Sequence, residues 1–325
     1  MDHVTGVARP PLGIRLLHAL RREPDWSAMT DGELAAFRDA ENRKRASRLI
    51  RVITGRPDRG AVIRWQDVAL PDRALRVRVS RPATGHADLP LVVHVHGGGF
   101  VGTAAQSDWV NSHLATRLPA VVVSVEHRLL APGTPLPAAV DDGWDVLRHV
   151  VRDAARWGVD PARTAVFGES TGGLIAALAA IRARDSGLPL RAQVLANPAV
   201  DLTGAMYDHA SMTRHADSPT LTVEQMRLFH RLAVPPGTDP RPLSPLHADD
   251  LGGLAPALVV VPTFDPLADH GRRYAEALLE AGTPARLAEH PGATHAFLSM
   301  PNVVPQAKAA RAEVAGFLRE HLASA

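Results

Sequence analysis

Ser170 stands at the centre of Gly168-Glu169-Ser170-Thr171-Gly172, between the β-type run Thr164-Ala165-Val166-Phe167 and the helix-forming run Gly173-Leu174-Ile175-Ala176-Ala177-Leu178. Glycines two positions before and after the serine permit a sharp strand-to-helix reversal in which larger neighbours would collide, leaving the hydroxyl exposed above a sheet. The helix N-terminus beneath it favours the negative charge that develops during acyl transfer. The chemistry indicated is nucleophilic attack by a serine. The bland alternative is an ordinary glycine-rich turn.

A second glycine-rich turn, His96-Gly97-Gly98-Gly99-Phe100, follows the strand-like Leu91-Val92-Val93-His94-Val95. Three successive glycines expose backbone N–H groups that can point at a carbonyl oxygen, joined by the N–H of Thr171 just after the nucleophile. Such donors form an oxyanion hole, and losing one typically costs about 10²- to 10³-fold in rate. A phosphate-cradling loop is the competing reading. It lacks support, because no GxGxxG or GxxxxGK[ST] pattern follows a strand.

Serine needs an imidazole base, itself oriented by a carboxylate. In the order Ser, acid, His, both partners should follow Ser170 and lie just past strand ends. Asp265 follows Ala257-Leu258-Val259-Val260-Val261-Pro262-Thr263-Phe264, and His295 follows Pro291-Gly292-Ala293-Thr294. Spacing leaves rivals open. Asp269 lies one helical turn beyond Asp265, where it would suit the positive end of a helix; His290 reads as a strand-edge side chain, and Glu289 is a further acid. His149, His230 and His321 read as surface or packing residues.

These turns require a sheet to carry them. Strand-like runs occur at about 61–68, 75–79, 91–96, 120–125, 163–167, 192–195, 257–261 and 285–289, the first two joined as a hairpin through Pro71-Asp72. Helical periodicity fills 138–157, 172–184, 268–281 and 306–322. The alternation predicts an α/β fold with a mostly parallel, eight-stranded sheet flanked by helices. Residues 1–55 and about 201–247, the latter with a helix near 222–232, fit no alternation and are assigned to a helical cap; 56–325 form the catalytic domain. Met206, Tyr207, Met212, Met226 and Phe229 could line an acyl pocket or simply bury one face of a lid helix, and Arg214, Arg227 and Arg231 could meet an acidic substrate.

Composition narrows the classes. Of 325 residues 46% are apolar, and 25 Gly and 27 Pro punctuate the chain, which suits one large core. Arginines alternate with acids, as in Arg182-Ala183-Arg184-Asp185, so nucleic acid is not an expected partner. Absence of Cys removes disulfides, thiolate nucleophiles and Cys-based zinc sites, and no HExxH spacing occurs; neither metal nor organic cofactor is expected. No signal-like start and no membrane-length apolar run is present, so a cytoplasmic location without a membrane span is expected. The partners expected are a small-molecule ester and, as an option, a second copy of the chain.

From about residue 60 onward the motifs resemble those of the hormone-sensitive-lipase-like (bacterial family IV) esterases of the α/β-hydrolase superfamily. The resemblance is carried by His96 to Phe100, Glu126-His127-Arg128 with Ala131-Pro132, Pro137-Ala138-Ala139-Val140-Asp141-Asp142, Gly168 to Gly173, Asp265-Pro266-Leu267-Ala268-Asp269 and His295-Ala296-Phe297. It implies a triad of Ser170, Asp265 and His295, oxyanion donors Gly97, Gly98 and Thr171, and supporting roles for His96, Gly99 and Glu169. It further implies hydrolysis of short- to medium-chain carboxylic esters through an acyl-enzyme beneath a cap. An amide or carbamate hydrolase, or an acyltransferase, would use the same triad. Non-catalytic ligand receptors on this fold typically lack the histidine, which is present here. Two departures bear on geometry: Glu169 and Thr171 replace the usual Asp or Thr before and Ala after the serine, and His127-Arg128-Leu129-Leu130-Ala131-Pro132 replaces Tyr-Arg-Leu-Ala-Pro.

Overall fold

The computed structural model describes residues 9–20, 23–85 and 87–323. The chain runs through helices α1 (Leu12–Leu20), α2 (Asp31–Ala46) and α3 (Arg51–Thr54), then strands β1 (Ala61–Ala69), β2 (Ala74–Pro82) and β3 (Leu89–Val95). Next come α4 (Asp108–Arg117), β4 (Val121–Val125), α5 (Leu136–Arg152), α6 (Ala154–Trp157), β5 (Val159–Glu169), α7 (Thr171–Ser186) and β6 (Ala192–Ala196). An excursion holds α8 (Ala210–Arg214), the two-residue strands β7 (Asp217–Ser218) and β8 (Leu221–Thr222), and α9 (Val223–Ala233). The chain closes with β9 (Ala257–Phe264), α10 (Ala268–Glu280), β10 (Ala285–Thr294) and α11 (Gln306–Leu322).

Eight strands form one sheet in the order β1-β2-β4-β3-β5-β6-β9-β10. The β1–β2 and β2–β4 pairs are antiparallel and the rest parallel, as the alternation of strand and helix predicts. Strands β3, β4 and β6 are buried along their whole length, which is why they read as unbroken apolar runs. Successive side chains point to opposite faces. Leu91, Val93 and Val95 accordingly join one core with Val121, Val123, Val259 and Val261, while Val92, Val122, Leu258 and Val260 join the other.

Local chemistry sets the helix ends. Thr30 with Glu33 and Thr222 with Gln225 form capping boxes that start α2 and α9. The helical run expected at 138–157 is two helices, because Asp153 (φ −100°, ψ 30°) interrupts it before Gly158 ends it in the left-handed region. Gly143 of α5 sits where an added Cβ would lie 2.4 Å from Ile175 Cγ2 of α7, so only glycine lets these helices approach so closely. Among the described residues no helix is long and apolar enough to cross a membrane.

Candidate active site

The turn from β5 into α7 holds Ser170 at φ 55°, ψ −118°, a conformation L-residues rarely adopt. Its surroundings leave no alternative. A Cβ on Gly168 would lie 1.9 Å from the Gly172 carbonyl oxygen, and one on Gly172 would lie 2.1 Å from that of Val95. The Ser170 N–H donates to Ala196 O at 2.9 Å, tying the turn to the end of β6.

His295, just past β10, places Nε2 2.8 Å from Ser170 Oγ and Nδ1 2.8 Å from Asp265 Oδ2. Asp265, just past β9, is fully buried, and its other oxygen accepts the Leu267 N–H at 2.9 Å. This arrangement can move a proton from the hydroxyl to the imidazole while the carboxylate fixes the tautomer. The rivals are elsewhere. Asp269 accepts the Ser211 N–H and pairs with Arg272, which also pairs with Glu289. His290 lies on edge strand β10 but is not an exposed edge group: it is buried with its ring against Phe297, 3.5 Å from Glu313. His230 and His321 contact the carbonyls of Leu202 and Phe317, and His149 packs on Trp157.

The Gly97–Gly99 turn lies against Ser170, with a Cβ on Gly97 reaching 3.4 Å from Ser170 Cβ. Gly98 has φ +98° and no room for a Cβ, which would fall 1.7 Å from Val101 O. The N–H groups of Gly97 and Gly98 donate to no other described group, and the Thr171 N–H opens a helix, where no intrahelical acceptor exists. The loop is held from several sides. His96 Nδ1 donates to Gly97 O at 3.0 Å, Gln106 Nε2 donates to the same oxygen at 2.9 Å, and Leu130 N–H donates to Gly99 O at 2.7 Å. From α2, Arg45 holds Gln106 Oε1 at 2.8 Å and Asn42 Oδ1 accepts the Gly102 N–H at 2.9 Å.

The two departures in the motifs have physical explanations. Buried Glu169 accepts from Ser107 Oγ at 3.1 Å and faces His94 Nε2 at 3.4 Å, so polar partners receive the longer carboxylate. His127 stacks on His96 with centroids 4.2 Å apart, and both rings are buried. Burial holds both below the usual imidazole range, His96 further down with His127 beside it, so the stacked pair is neutral at neutral pH. Arg128 is locked by buried Asp142, which also accepts from Arg73.

A cavity of about 140 Å³ opens beside Ser170 and His295. Its apolar wall includes Phe100, Leu221, Met226, Phe229 and Leu267, with Trp26 and Phe37 from the N-terminal segment. Of the acyl-pocket candidates, Met226 and Phe229 reach it; Met206, Tyr207 and Met212 do not, nor do Arg214, Arg227 and Arg231. Met206 and Met212 are buried core residues instead. Trp26, in a turn before α2, and Phe37 and Arg45 of α2 escaped sequence reasoning because nothing in a local pattern says which distant loop such residues pack against. Among the described residues no group of three or more His, Asp or Glu side chains is placed to hold a metal ion.

The reversal at Ser170, the glycine loop and the strand order define an α/β-hydrolase. Residues 92–299 match the family model for the alpha/beta hydrolase fold, and the chain belongs to the hormone-sensitive-lipase-like branch of that family and is an ester-hydrolysing enzyme. It is 36% identical to the esterase LipI of Mycobacterium tuberculosis over 75% of this chain and 78% of that one. Carboxylesterase NlhH of the same organism is 41% identical, over 71% and 73% of the two chains. The solved structure of a hyperthermophilic esterase from Pyrobaculum calidifontis superposes with a TM-score of 0.84 at 31% identity, covering 96% of this chain and 98% of that one.

Proposed function

We propose that the protein is a serine carboxylesterase for short- to medium-chain esters, working through an acyl-enzyme on Ser170. The observation that carries this reading is the position of His295, 2.8 Å from both Ser170 Oγ and Asp265 Oδ2. As Oγ attacks the ester carbonyl, its proton passes to His295 Nε2, and Asp265 stabilises the imidazolium. The N–H groups of Gly97, Gly98 and Thr171 receive the oxyanion. Nε2 then protonates the departing alcohol, and a water activated by the same nitrogen releases the acid.

In this reading the described residues 9–20 and 23–55, with about 201–247, act as a cap, since Trp26, Phe37, Met226 and Phe229 line the cavity that holds the serine; 1–8 and 21–22 lie outside the described residues. Cavity size supports the chain length, because an apolar cavity of roughly 150 Å³ holds a molecule the size of benzene. Ser170→Ala should lower turnover of p-nitrophenyl butanoate by at least about 10⁴-fold, abolish labelling by a fluorophosphonate, and leave the circular dichroism spectrum unchanged. Retained turnover in that variant would remove Ser170 from the mechanism.

A further inference from the structure

We propose that Asn197 forms a polar subsite in the cavity and selects esters carrying a hydroxyl or amide group close to the scissile carbonyl. The proposal rests on the esterase reading above and adds a substrate class to it. Asn197 follows β6 directly: the preceding Ala196 carbonyl accepts the Ser170 N–H, and the following Pro198 packs against Gly173 of α7. Its backbone is therefore fixed beside the nucleophile. The residue lines the cavity, is 1% exposed, and has no hydrogen-bond partner for either Oδ1 or Nδ2.

An unpaired amide in such a place is costly, because each buried donor or acceptor has given up water without gaining a partner. Thr220, which lines the same cavity, also has its Oγ1 without a partner, and the apolar lining residues Leu221, Met226, Phe229 and Leu267 can offer none. The missing partner must supply a donor and an acceptor together. A hydroxyl or a secondary amide does so; a carboxylate would leave Oδ1 facing negative charge, and an alkyl chain would satisfy neither atom. Backbone conformation does not account for the side chain's surroundings. Asn197 has φ 38°, which asparagine tolerates, but glycine would serve that geometry as well. Asn197→Gly is for the same reason the deletion that removes the amide without adding strain.

The test compares isosteric pairs. On the acyl side, p-nitrophenyl 3-hydroxybutanoate is measured against p-nitrophenyl 3-methylbutanoate; on the alcohol side, 2-hydroxypropyl butanoate against isobutyl butanoate. We expect the native enzyme to favour the hydroxy member of one pair about tenfold in kcat/KM. Asn197→Gly and Asn197→Ala should each bring that ratio close to its value for uncatalysed hydrolysis, with the methyl isostere turned over at least as well as before. The pair that responds tells which side of the ester the amide meets. A native enzyme indifferent to both pairs, or a preference that survives in both variants, overturns the subsite. Failure of the native protein to be labelled at Ser170 by a fluorophosphonate would overturn the esterase reading itself, and the subsite with it.

Discussion

Ser170 and Gly98 both hold backbone conformations that ordinary residues avoid, φ 55° and φ +98°, and both belong to turns where a side chain would strike backbone. Such strain persists only where the surrounding structure over-determines it. Gly98→Ala is therefore expected to displace the loop and lower kcat by about 10²- to 10³-fold, the usual cost of an oxyanion donor. Thr171→Ala, which keeps its N–H, should stay within about threefold; steady-state kinetics on p-nitrophenyl butanoate decides both. At this scale the contact of Ser170, His295 and Asp265 was legible because the three residues each follow a strand in a fixed chain order; their roles as nucleophile, base and acid belong to the proposed mechanism. Asn197 was not legible, since no pattern marks a buried amide whose partner is missing from the chain. Spacing left His290 open beside His295; the 2.8 Å approach of His295 Nε2 to Ser170 Oγ, with His290 turned to Glu313 instead, separates them.

Helix α2 precedes the whole sheet in sequence, yet it touches the glycine-rich turn after β3 through Asn42 and through Arg45 by way of Gln106. A loop held at a distance by two side chains loses position when they are cut, and small displacements near reacting atoms are expensive in rate. The double variant Asn42→Ala, Arg45→Met should lower kcat about tenfold while changing KM by less than about threefold. An unchanged kcat would mean that the core alone positions the loop. The elements themselves were readable: apolar runs of period two or unbroken burial gave the strands, and three-four spacing gave the helices. Less readable were the interruption at Asp153, a local backbone change inside a run whose helical spacing continues past it, and the β7–β8 ribbon, whose two-residue strands are too short to show a period. What the N-terminal helices pack against was invisible, since contacts such as Arg45 to Gln106 join residues 61 positions apart.

Across the whole molecule, five buried imidazoles among the described residues, those of His96, His127, His215, His270 and His290, are held below their ordinary range by that burial, His270 down to about 3. The unfolded chain takes up protons below about pH 6.5 that these folded rings refuse. Stability is thus full above that pH and falls as acid is added, with a limiting slope of about 1.4 kcal/mol per pH unit for each neutral ring. Urea unfolding at pH 7 and pH 5 should show the loss, and His270→Gln should flatten it; equal slopes in both proteins would contradict the assignment. The two-sided core was foreseeable from the alternation of strands and helices, whereas the sheet order is set by long-range pairing that no local window contains. That pairing has a kinetic consequence. Ser170, Asp265 and His295 hang from β5, β9 and β10, and a one-residue slip of β9 against β6 would exchange its two faces and turn Asp265 away from the histidine. Turnover therefore reports strand register: in refolding from urea, ester hydrolysis should return later than helical circular dichroism, because helices form locally and parallel neighbours must find one another across the chain.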